Sequence, residues 1–177
     1  MLSVLLTLLA CKGPATESCP IGDDISADDR VASCAAEVPE CAPSVLIGSG
    51  VGGIFQPFAD GDVVTLDVAP QGGFGVTVKV RSQGLVAGDD AVALIVLDVE
   101  QNGENIGTHR QPVSLLCQDS GEGEVFGVVV GFDPAIYSTN DDLLDLDGAE
   151  VTLVITLEDE VGTQVTGSAT VVVDVGG

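Results

Sequence analysis

The chain has 177 residues, 28 acidic against 5 basic, for a formal net charge of -23. That balance excludes nucleic acid as a partner, because holding phosphates needs Lys and Arg, and it opposes electrostatic docking on anionic lipid. Hydrophobic residues make up 45%, but aromatics only 3% with no Trp. The chain can therefore bury a core, and one built of Val, Leu, Ile and Ala favours strands.

Residues 1–10, MLSVLLTLLA, are an apolar run ending in a small residue, the shape of a secretory signal peptide. The run is too short to span a bilayer as a helix. Leu8-Leu9-Ala10-Cys11 resembles the lipobox of bacterial lipoproteins. The resemblance implies cleavage before Cys11, a diacylglycerol on its thiol and an acyl chain on its amine. Several such chains anchor a protein far more firmly than one myristoyl group does. Lys12 stands where an Asp would signal inner-membrane retention, which points to the outer membrane, facing the periplasm or the surface. The alternative is an ordinary cleaved signal with Cys11 incidental.

Residues 11–43 read as a disordered or loop-rich tether, rich in Asp, Ala, Ser and Pro, with at most a helical turn within 21–36. With Cys11 set aside, Cys19, Cys34, Cys41 and Cys117 give an even count, which in an exported chain points to two disulfides. Three pairings are open. Cys19–Cys34 with Cys41–Cys117 is the favoured one, fastening the tether to the body. A metal site is the rival reading, opposed by the absence of any C-x-x-C pair and by the remoteness of His109, the only histidine.

The body, 44–177, is written in alternating apolar runs, and alternation is the signature of half-buried strands. Val45-Leu46-Ile47 leads into Gly48-Ser49-Gly50-Val51-Gly52-Gly53, a G-x-G-x-x-G after an apolar strand. A dinucleotide-binding turn would need a helix to start there. Pro57 and Asp60-Gly61 deny it, so the glycines are expected to make a bend or bulge. Runs 63–68 and 74–80 flank Pro70-Gln71-Gly72-Gly73 and are expected to form the central pair. Run 91–101 and run 104–110 flank Asn102-Gly103, the strongest short hairpin signal. A short strand is expected at 113–117. Run 124–132, apolar on both faces, is expected to be central in its sheet. The long connection 133–150 suits a crossover between sheets. Runs 150–157 and 165–175 close the chain. The expected fold is an all-β, Ig-like antiparallel sandwich of seven to nine strands.

Phe55, Pro57, Asp60-Gly61-Asp62, Pro70-Gln71-Gly72-Gly73-Phe74, Arg81 and Gly84-Leu85 resemble a motif of uncharacterised bacterial lipoproteins with an exported N-terminus and a β-sandwich body. Ala69 and Gly75 stand where that pattern has Gly and His, so no role for such a His carries over. The resemblance implies envelope location and fold, and no activity.

No G-x-S-x-G elbow accompanies His109, and the scarcity of aromatics argues against a sugar-stacking groove. Lys79 and Arg81 are expected to form local ion pairs on an outer strand face. The expected function is a non-catalytic, membrane-anchored lipoprotein presenting a binding or structural surface to an envelope protein partner. An envelope enzyme or accessory subunit is the alternative. No cofactor is expected except calcium. If every strand reversed its predecessor, four acidic turns would crowd one pole: Asp60 and Asp62; Asp89 and Asp90; residues 119–124; and Glu158, Asp159 and Glu160. A hard divalent cation would relieve that repulsion. Simple solvated turns are the alternative.

Overall fold

The computed structural model describes residues 43–68, 73–118 and 121–176. The expected signal peptide and nearly all of the expected tether, with Cys11, Cys19, Cys34 and Cys41, lie outside the described residues. What is described is an all-β sandwich of two packed sheets.

The strands are β1 (Ser44–Ser49), β2 (Gln56–Pro57), β3 (Asp62–Thr65), β4 (Asp67–Val68), β5 (Phe74–Gln83), β6 (Val92–Gln101), β7 (Glu104–Ser114), β8 (Leu116–Cys117), β9 (Gly123–Gly131), β10 (Glu150–Glu158) and β11 (Gln164–Asp174). One short helix, α1 (Asn140–Leu144), interrupts the β9–β10 crossover. The first sheet runs β2-β1-β5-β9-β8, with β4 also on β5, and the second runs β3-β11-β10-β6-β7.

Period-two alternation fixes the core. Val76, Val78 and Val80 from β5 and Val128 and Val130 from β9 face Ile95 and Leu97 from β6, Leu153 and Ile155 from β10, and Val171 and Val173 from β11. All are buried, and burial of one such side chain is worth about 1.5–3 kcal/mol. Phe74 is half-buried at the margin. At Asn102-Gly103 both residues have positive φ, 53° and 81°, as a type I′ hairpin turn requires.

Three expectations are corrected. Run 63–68 is not one strand beside 74–80. It splits at Leu66, so that β3 pairs with β11 and only β4 pairs with β5, Asp67 opposite Gly75 and Val68 opposite Phe74. The β3–β11 pair is moreover parallel, so strands do not simply alternate. Run 124–132 is not central along its length, because β8 covers β9 only at Gly123 and Glu124. Its double-sided apolarity has another cause. Val78 pairs with Val128 but Val80 pairs with Val125, a bulge with Gly127 at φ 62°. The extra residue lets both Val125 and Val128 turn inward while Phe126 stays exposed.

The chain also changes sheet at Leu115. Leu115 is fully buried between β7 and β8, and its N–H and C=O bond to Ala91 O and Gly88 N. What looked like a strand at 113–117 is therefore a corner. Pro112, which cannot donate to a ladder, sits on β7, the edge of the second sheet.

Candidate functional site

The outer face of the first sheet carries the most built polar arrangement of the described residues. β5 sends Val78 and Val80 inward and Lys79 and Arg81 outward. β9 places Glu124 opposite Arg81. Glu124 is fully buried and Lys79 is 5% exposed, unusual for charged groups unless they are paired. Here they are. Lys79 Nζ donates to Glu124 Oε1 at 3.0 Å, while Arg81 donates to Glu124 Oε2 from Nε at 3.2 Å and Nη2 at 2.7 Å. Arg81 also meets Glu122 at 3.3 Å. The expected local ion pairs are present, but as a covered network rather than an exposed one.

The cover is the β1–β2 connection. Lys79 Nζ donates to Gly52 O and, at 2.9 Å, to Ile54 O, so the ammonium pins this loop across the sheet. Phe126 lies 4.6 Å from Lys79 Nζ and Phe55 4.7 Å from Arg81 Cζ, measured to the ring centroids, placing each cation over an aromatic face. The glycines of the G-x-G-x-x-G serve this loop. A Cβ at Gly48 would overlap the carbonyl of Gln56, and one at Gly50 the carbonyl of Ile54. Close backbone approach, not phosphate binding, is what these positions require.

A lateral slit opens where β7 and β9, from different sheets, run side by side. It encloses about 240 Å³ and is lined by Gln111, Val113, Ser114, Leu116 and residues 125–128. At its far end the strands touch so closely that a Cβ on Gly107 would overlap the Gly131 carbonyl. His109 pairs in register with Leu97, and its Nε2 is buried without a hydrogen-bond partner.

The acidic turns do not assemble. Asp159 is buried and spent on backbone. Its carboxylate accepts from Val86 N at 3.0 Å, Val161 N at 3.1 Å and Thr163 N at 2.7 Å. It thereby ties the β10–β11 turn to the loop that carries Asp89 and Asp90. Glu158, Glu160, Asp89 and Asp90 are exposed. Asp60 and Asp62 are elsewhere, because β3 lies beside the second half of β11, with Asp62 opposite Val171. Asp62 accepts from Ala59 N at 2.9 Å, a turn contact. Among the described residues no three or more His, Cys, Asp or Glu come together as a group that could hold a metal ion. The parallel β3 thus takes Asp60 and Asp62 away from the turns that carry Asp89, Asp90 and residues 158–160.

Sequence reading missed α1. Thr139 caps it, its hydroxyl accepting from Asp142 N while the Asp142 carboxylate accepts from Thr139 N, a capping box. These bonds from Thr139, with others from Ser138, hold the Asp142 carboxyl below the usual carboxylate range. The signal was Thr139 followed three residues later by an acid. Cys117 is the one expected half-cystine among the described residues, half-buried on β8.

The described residues thus define a two-sheet β-sandwich with one outer face roofed by a pinned loop. No protein-family model matches the chain, and no curated protein matches it.

Proposed function

We propose that this is an acylated lipoprotein of the bacterial envelope whose sandwich presents a non-catalytic binding or structural surface. The observation that supports it most is the division of the chain. The lipobox-like Leu8-Leu9-Ala10-Cys11 stands well upstream, and the sandwich begins only at Ser44. A lipid on Cys11 would therefore not compete with the fold. His109 fits a structural role, since its buried Nε2 meets no proton donor or acceptor, whereas a catalytic histidine needs an oriented partner. Outer-membrane placement, read from Lys12, belongs to the same proposal. So does a disulfide from Cys117, half-buried on β8, to a cysteine of the tether.

Fractionation tests the anchor. The wild-type chain is expected in the membrane pellet and Cys11→Ser in the soluble fraction. Equal membrane retention of the two would refute acylation at Cys11. Capture of a specific protein from envelope extracts would then identify what the surface serves.

A further inference from the structure

The outer face of the first sheet combines two properties that the rest of this acidic surface does not prepare one to expect. Its charges cancel locally: Lys79 and Arg81, two of only five basic residues in the chain, are matched by Glu122 and Glu124. Four exposed apolar side chains also gather on it. Leu46 shares this side because it pairs in register with Arg81. Phe126 lies here through its contact with Lys79. The loop pinned by Lys79 raises Val51, 86% exposed, and Ile54, 70% exposed, above the sheet. A further carboxylate on this side, Asp67, stands at the far end of β5 opposite Gly75. Apolar side chains on a held loop are preorganised for insertion, since little conformational entropy remains to be lost.

We infer that this face docks on the lipid bilayer surface, with Val51 and Ile54 entering the interfacial layer. The inference rests on the anchored-lipoprotein reading above. Charge selects the occupant. A body of net charge -23 is repelled by a second copy of itself and by anionic headgroups, and the face whose ion pairs cancel is the one that can approach a bilayer without that penalty. Continuity also favours it. The tether runs in sequence into β1, which carries Leu46 and then the loop, so the docking face is built from the first elements after the tether. The several acyl chains on Cys11 hold the protein at the membrane by themselves, so docking of this face adds orientation rather than attachment.

The chain has no Trp, so Val51→Trp introduces a single reporter at an exposed position. The full acylated chain is reconstituted on phosphatidylcholine vesicles, with and without brominated acyl chains. A second variant, Val161→Trp, places the reporter on the exposed β10–β11 turn of the other sheet. The expected result is a blue shift and loss of emission to brominated lipid for Val51→Trp, and neither for Val161→Trp. An acylated chain that pellets with vesicles while its Trp at position 51 stays unshifted overturns the docking face and leaves the anchor standing. A blue shift without bromine quenching means that protein covers the face, which also overturns it. Equal quenching at both positions shows no preferred orientation and overturns it as well. A chain that remains in the supernatant defeats the anchored reading itself.

Discussion

Glu124 shows how much of this molecule hangs on single residues. It is a fully buried carboxylate holding two cations. Removing one partner of a buried pair leaves a charge without compensation, at a cost of about 3–5 kcal/mol. Glu124→Gln is therefore expected to lower stability by that order in denaturant unfolding. Because Lys79 is the charge stranded, Lys79→Met in the same chain should recover part of the loss. Additive losses would show that the two do not interact. Asp159 makes a comparable prediction of smaller size. Its three backbone donors lose their acceptor in Asp159→Ala, and a buried donor left unsatisfied costs about 1–3 kcal/mol. Neither role was legible in the sequence. Glu124 reads there as one more acid in a turn, and its partners lie more than forty positions away. Only the β5–β9 register brings them together.

At the scale of elements, alternation carried most of the information, and it failed where the chain bends. β5, β6, β10, β11 and the Asn102-Gly103 hairpin follow directly from period two and turn chemistry. Leu66 and Leu115 look like ordinary strand positions, yet at each the chain passes from one sheet to the other. Nothing local in the sequence distinguishes a corner leucine from a strand leucine, since both are apolar and at least partly buried. The Gly127 bulge hid the true position of β9 for a similar reason: one extra residue re-aims the side chains that follow it. The seam between β7 and β9 can be tested through Gly107→Ala. The added methyl must displace the Gly131 backbone, and overpacking of this kind costs about 1–3 kcal/mol, read as a lower midpoint with unchanged m-value. For α1, Asp142→Asn should lower the melting temperature at neutral pH. The folded state holds the Asp142 carboxyl below its ordinary range. Its stabilisation is therefore present above the unfolded carboxylate pKa and is lost as pH falls through the lower folded value. The gap between Asp142→Asn and wild type should accordingly close in acid.

For the molecule as a whole, the two sheets share one core, so a charge at its centre should be felt everywhere. Val78 is wholly buried, and Val78→Asp is expected to abolish the cooperative thermal transition. A variant melting like wild type would contradict the packing described. The order in which strands find partners has a further consequence. β11, the last strand, stands between β3 and β10, and a Cβ on its Gly167 would overlap the carbonyl of Val45 in β1. Early and late parts of the chain are thus locked by the same segment. As the chain lengthens at the ribosome, β3 has no ladder to join and β10 remains an open edge until residues beyond Gln164 have been made. The second sheet closes only once β11 has been made, so its strands pair in an order set by the segment that reaches them last.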